Sequence, residues 1–251
     1  MHPAIVRHRM RLLPTLIADG PEQMARDEAL LEVATETTLR LYRWQPMAVS
    51  LGCFQEHASA TAGLPAGVQV VRRITGGGAI WHQHEVTYCL AGTLGQDGLP
   101  GRARDLYPLI HGAVLAALAR RGAGLALQGA SVGDRRYAAE PRCFASPATD
   151  DLVHADGGKA LGSAARARGA RCILHGSLKL ESNAWDGAAV TGCGLDWEAA
   201  AAAVREGMSA ALGAPLLPGD WTAEEIAAAE RIRAARYADG AWVERRAGLR
   251  P

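Results

Sequence analysis

The order of elements in this 251-residue chain predicts an α+β fold, a mixed or antiparallel β-sheet with flanking helices. Three observations carry that reading. Strand-like segments arrive in runs instead of alternating singly with helices, which disfavours a doubly wound parallel sheet. Apolar residues make up 49% and charged residues 21%, enough for a sizeable core and far from a disordered or fibrous composition. No internal repeat or Ser/Pro-rich linker marks a boundary, so residues 1–251 are expected to form one domain.

Taken in order, residues 21–36 read as a helix, with Pro at the start, acids in the early turns and Met24, Leu31 and Ala34 near helical spacing. Residues 38–44, 47–51 and 68–73 are short, β-branched or aromatic, and separated by Pro or Gly, which predicts neighbouring antiparallel strands. The chain turns at Gly76-Gly77-Gly78 and returns as a strand over 86–91. A helix follows over 105–121, with Leu106, Leu109, Ile110, Ala113, Val114 and Ala117 on one face. Residues 151–155, 159–164 and 172–180 read as further strands, the first two joined at Asp156-Gly157-Gly158. Helices over 197–212 and 222–237 close the chain, the second with Thr222 and Glu225 at capping-box spacing.

Charge and composition exclude several classes. A net charge of +1 gives no global field toward nucleic acid or an anionic membrane, so any anionic partner must be met locally. The longest uncharged stretch, residues 57–71, is interrupted by Pro65 and two glycines and falls short of the roughly 20 apolar residues of a spanning helix. Residues 1–14 lack the apolar core of a secretory signal, and the expectation is a cytoplasmic protein with no nucleic-acid or membrane partner. The five cysteines, at 53, 89, 143, 172 and 193, show no ligand spacing, so neither a metal site nor a disulfide framework is expected.

Two stretches carry chemistry. Arg72-Arg73-Ile74-Thr75-Gly76-Gly77-Gly78 sets two guanidinium groups at a strand end before three residues without Cβ, a turn that lets backbone N–H groups approach an anionic ligand. The ordinary alternative is a glycine-rich hairpin with solvated arginines. Gly158-Lys159 through Gly162-Ser163-Ala164, followed by His175-Gly176-Ser177, puts a single lysine at a strand start among small residues, where it can project into a cleft. The alternative there is a hairpin-end lysine in solvent.

Together these stretches resemble the lipoate-protein ligase and octanoyltransferase family. Residues Met24 to Leu30 resemble its first-helix motif, and Leu41-Tyr42-Arg43-Trp44 with Ser50-Leu51-Gly52 its paired early strands. Arg72 to Ala79 with His82 resembles its arginine and triple-glycine loop, and Lys159 through Ala164 its lysine motif. His175-Gly176-Ser177, Arg236-Tyr237 and Trp242-Val243 are similar to later landmarks, in matching order. One departure is Ala165-Arg166, where the family often has Gln before an Arg pair. The resemblance implies the catalytic-domain fold shared with biotin ligases. It implies Lys159 as the contact to the acyl carbonyl oxygen. It also implies a substrate site drawn from Arg72, Arg73, Gly76, Gly77, Gly78, His82, Gly162, Ser163, Ala164, His175 and Gly176.

A ligase activates a free acid with ATP and Mg, whereas a transferase takes the acyl group from a carrier thioester and parks it on a thiol without a cofactor. Cys143, in Pro141-Arg142-Cys143-Phe144, resembles the cysteine position of the ligase-like octanoyltransferases, and Arg142 and Lys159 are expected to supply its electropositive surroundings. Cys193, in Gly192-Cys193-Gly194, resembles the position of the other octanoyltransferase subgroup and stands as the alternative nucleophile. The expected activity is octanoyl transfer from acyl carrier protein through a cysteine thioester to a lysine of a lipoyl domain. The acceptor would be a lipoyl domain of a 2-oxoacid dehydrogenase or the glycine cleavage H protein. The alternatives are an ATP-dependent lipoate-protein ligase working through a lipoyl-adenylate, and a lipoyl-domain or acyl-binding module without activity.

Overall fold

The structure is a computed structural model that describes residues 8–130 and 140–245. Its strands are β1 (Met10–Leu12), β2 (Leu16–Ala18), β3 (Thr38–Trp44), β4 (Ala48–Leu51), β5 (Gln69–Arg72), β6 (Ile80–His82), β7 (Glu85–Thr93), β8 (Leu125–Leu127), β9 (Leu152–His154), β10 (Lys159–Arg168), β11 (Arg171–Lys179) and β12 (Leu216–Pro218). The helices are α1 (Gly20–Val33), α2 (His57–Ala60), α3 (Leu106–Ala119), α4 (Trp197–Leu212), α5 (Ala223–Ile232) and α6 (Gly240–Arg245). The fold is mixed α+β, as expected. A large sheet runs β12-β1-β3-β7-β11-β10-β9-β8, with β2 also on β3, and a small sheet runs β5-β4-β6.

Side-chain alternation along the long central strands gives the large sheet a core on each face. Leu39, Leu41, Tyr88, Leu90, Leu174 and Leu178 pack with α3 and α4. Their neighbours Tyr42, Cys89, Ala91 and Ile173 pack with α1 and α5. Gly207 lets α3 and α4 meet closely, because a Cβ there would lie 2.6 Å from the Val114 Cα. The Thr222 capping box forms, with the Thr222 hydroxyl accepting from Glu225 N–H and the Glu225 carboxylate accepting from Thr222 N–H.

Two expectations are corrected. Residues 38–44, 47–51 and 68–73 are not consecutive antiparallel neighbours. β3 belongs to the large sheet, while β4 and β5 pair parallel in the small one. The intervening chain, which contains α2, is the crossover that a parallel pair needs. The closing helix keeps α-geometry only to Ile232 and continues as a π-helical turn over Arg233–Tyr237. That turn carries Arg236 and Tyr237 onto Glu28, a carboxylate buried on the underside of α1.

Among the described residues, no helix is long and apolar enough to cross a membrane, and no group of three His, Cys, Asp or Glu side chains could hold a metal ion.

Candidate functional site

A cavity of about 590 Å³, open solvent at its rim included, lies between the α1 face of the large sheet and the small sheet, lined among others by Met24, Tyr42, Trp44, Cys143 and Lys159. Its mouth is built by two loops held against each other. Ala79 N–H donates to the Pro141 carbonyl at 2.7 Å, and Cys143 N–H donates to the Ala79 carbonyl at 2.8 Å. That approach needs Gly78, since a Cβ there would lie 2.6 Å from Cys143 N and 2.8 Å from its Cα. Gly77 has φ 91°, in the region that favours glycine, and its carbonyl oxygen would be 1.9 Å from a Cβ on Gly52. Gly76 is held in the same loop, its carbonyl accepting from Arg73.

Neither arginine is solvated, and of the two only Arg73 lines the cavity. Arg73 donates to the carbonyls of Ser50, Gly76 and Gly78 and so organises the glycine loop from beneath. Arg72 donates to the carbonyls of Gly52, Gln55, Trp242 and Val243, which ties α6 to the small sheet, and it does not line the cavity.

Cys143 opens a short 3-10 turn and is the only one of the five cysteines that is not buried. The Lys159 ammonium lies 3.5 Å from its Sγ, 3.3 Å from its carbonyl oxygen and 2.7 Å from the Asp151 carboxylate. Lys159 is itself 2% exposed, so the solvated hairpin lysine is also excluded. Burial alone would push this ammonium down, but the Asp151 carboxylate, and after it Cys143, outweigh burial and raise it well above the ordinary lysine range. Asp151 is anchored in turn by Ala148 N–H at 2.6 Å. The Phe144 ring has the Lys159 and the Lys179 ammonium each 4.9 Å from its centre.

The expected role of Arg142 beside this thiol is corrected: its guanidinium is engaged by the Glu140 carboxylate at 2.9 and 3.0 Å and by the Trp185 carbonyl. Cys193 lies elsewhere. It is buried in the core that packs on α3 and α4, does not line the cavity, and has its thiol pushed up by burial. Cys53, Cys89 and Cys172 are also buried with their thiols raised, chiefly by burial.

Both predicted histidines reach the cavity, each held by a carboxylate. His82 Nδ1–H donates to Glu85 at 2.6 Å, and its Nε2 accepts from the Ser50 hydroxyl at 2.7 Å. Burial, against the opposing pull of Glu85, lowers its pKa to about 4, so the ring is neutral at neutral pH and stacks on Trp44 at 3.9 Å. Glu85 also pairs with the buried Lys179. His175 Nδ1 meets Asp27 at 2.9 Å and its Nε2 meets the Thr75 hydroxyl at 2.5 Å, with Arg40 and Tyr42 donating to the same Asp27.

Gly162, Ser163, Ala164 and Gly176 all line the cavity. The Ser163 hydroxyl, however, is engaged on the α3 side. It accepts from Tyr88 at 2.5 Å and donates to His111, whose Nδ1–H donates to the Asp150 carbonyl. Gly176 leaves the room that Tyr88 and Ser163 occupy, each 2.4 Å from where its Cβ would be. The sequence motifs contain Asp27, Ser50 and Thr75 without giving them a role, and give no role to Asp151, Glu85, Tyr88 or His111. The one available signal is adjacency, Asp151 opening the strand before the lysine turn.

Gly162 makes the lysine position possible, since a Cβ there would lie 2.5 Å from Lys159 Cε and 2.6 Å from Nζ. Gly162→Ala should therefore displace a flexible side-chain end and leave the backbone alone. The expected result is a melting temperature near wild type with turnover down on the order of 10²-fold, the usual cost of a misplacement of about 1 Å.

Residues 19–200 match the family model of the lipoyl protein ligase A/B catalytic domain. The chain belongs to that family. It is 30% identical to octanoyltransferase LipM of Moorella thermoacetica, over 94% of this chain and 98% of the relative. Its fold is that of lipoate-protein ligase A bound with ATP (TM-score 0.76, 17% identity, 94% and 98% of the two chains covered). It is also similar in fold to a structure from the archaeal lipoylation system of Thermoplasma acidophilum, described as a bipartite lipoate protein ligase and its E2 lipoyl domain (TM-score 0.73, 18% identity, 97% and 98% covered). Family membership makes the chain an enzyme of protein lipoylation, related to acyltransferases and to ligases.

Proposed function

We propose that this enzyme is an octanoyltransferase that moves an octanoyl group from acyl carrier protein, through a thioester on Cys143, to a lysine of a lipoyl domain. The observation that carries the reading is the partly exposed Cys143 thiol 3.5 Å from a buried ammonium, both on the wall of the cavity. Adenylate chemistry has no use for such a thiol. The name of the Moorella relative, matched over nearly the full length of both chains, supports the same choice.

In this reading Cys143, as the thiolate and with the Lys159 ammonium 3.5 Å from its sulfur, attacks the carbonyl carbon of the carrier thioester. The π pair moves onto the oxygen, where the Lys159 ammonium stabilises it. Collapse re-forms the carbonyl and breaks the bond to the carrier sulfur, which leaves as a thiolate. In the second half the neutral amine of the acceptor lysine attacks the Cys143 thioester, an amide forms, the amine proton is released, and the thiolate is regenerated. Lys159 stays protonated throughout, held so by Asp151, so it acts as a hydrogen-bond donor and not as a base. Met24, Tyr42 and Trp44 on the cavity wall suit the apolar chain.

The test compares free octanoate and octanoyl carrier protein as donors to a lipoyl domain, each with and without ATP and magnesium. Product from the carrier thioester without ATP is expected. Product from free octanoate alone, and only with ATP, would place the chain with the ligases.

A further inference from the structure

We propose that the Ser177 hydroxyl is a second hydrogen-bond donor to the acyl carbonyl oxygen, acting beside Lys159 when the thioester is attacked. The inference rests on the transfer reading above and adds a residue to it.

Alternation along β11 places His175, Ser177 and Lys179 on the face of the large sheet that carries the cavity. Ser177 is registered against Thr87 on β7 and Gly162 on β10, so its flanking positions hold a small side chain and none at all. It is 1% exposed and lines the cavity, and its Oγ has no hydrogen-bond partner among the described residues. A buried hydroxyl without a partner costs about 1–3 kcal/mol, and one retained on the wall of a cavity calls for a ligand group that satisfies it.

Its position says which group. A Cβ on Gly162 would lie 2.6 Å from the Lys159 ammonium. Opposed Cβ positions on paired strands are about 4.5–5.5 Å apart, so the Ser177 side chain starts within one side-chain length of that ammonium with only a glycine between them. A carbonyl oxygen presented to Lys159 beside Cys143 is the acceptor that the two donors can share. As the Cys143 sulfur bonds to the carbonyl carbon and negative charge develops on the oxygen, the Ser177 O–H strengthens its bond without transferring its proton, and relaxes when the carrier thiolate leaves. Lys159 carries the larger share because it is charged.

The experiment measures single-turnover formation of the octanoyl adduct on wild type and Ser177→Ala, using octanoyl carrier protein at several concentrations, with thermal unfolding of the same preparations. The expected result is an acylation rate about 10-fold lower or more, short of the ~10²–10³ for a sole donor, with half-saturating donor concentration unchanged. The melting temperature should hold or rise, because the variant removes an unsatisfied hydroxyl. Acylation at the wild-type rate, or a slower rate that tracks a lower melting temperature or weaker donor binding, would overturn the proposal. Absence of adduct on wild type would instead overturn the transfer reading, and this inference with it.

Discussion

Cys143→Ala is expected to abolish the octanoyl adduct and reduce transfer by several orders of magnitude, whereas Cys193→Ala retains both. A thioester exchanges only with a thiolate, so the nucleophile must be reachable and sit where charge is favourable. Cys143 satisfies both conditions: it is the unburied cysteine, and an ammonium lies 3.5 Å from its sulfur. Cys193 meets neither, being buried among apolar side chains that push its thiol up. Side chains that act as one unit lose nearly everything when one is removed, which sets the size of the effect. Intact-protein mass spectrometry after incubation with octanoyl carrier protein reads the outcome. An adduct that survives in Cys143→Ala and disappears in Cys193→Ala would reverse the assignment.

Lys159→Ala is expected to reduce transfer on the order of 10²–10³-fold, the loss typical of one oxyanion donor. The fold will not be indifferent to it. The sequence context, a hairpin end, suggests a lysine whose removal leaves stability untouched, but the side chain is buried and paired with Asp151 at 2.7 Å. Removing it strands a buried carboxylate, a change that costs about 3–5 kcal/mol in comparable pairs. Rate and stability are separable by a second variant, Lys159→Met with Asp151→Asn, in which neither partner is charged. That double variant should regain most of the melting temperature and none of the rate. Recovery of turnover along with stability would mean that Lys159 serves the fold and not the reaction.

Much of the site was legible because it is local in the chain. Gly76-Gly77-Gly78 announces a turn without Cβ atoms, and two of those positions prove to need it, Gly77 by its positive φ and Gly78 by the approach of Cys143. The Gly158-Lys159-Ala160-Leu161-Gly162 run likewise encodes a lysine beside a residue small enough to lie under it. What the chain order hid was every pairing made across distance. Asp27 and Glu28 are legible only as members of the first-helix motif, yet they are the buried partners of Arg40, His175, Arg168 and Arg236 from four other segments. Arg142 misled for the same reason: adjacency to Cys143 counts for nothing once Glu140 has engaged its guanidinium. The three-residue strands β1, β2, β8 and β12 were invisible, since three residues are too few to show alternation.

By itself the sequence determined the fold class, the long strands and helices, and the family, because hydrophobic period, caps and glycine turns act over a few neighbouring residues. Tertiary structure alone decided which strands share a sheet, that β4 and β5 run parallel, and which of two plausible cysteines faces Lys159. The physical reason is the same in each case. Charge and hydrogen bonding act through space over a few ångströms, and the two groups within that range of the Lys159 ammonium, Cys143 and Asp151, are brought to it by the packing of β10 against the loops that precede it.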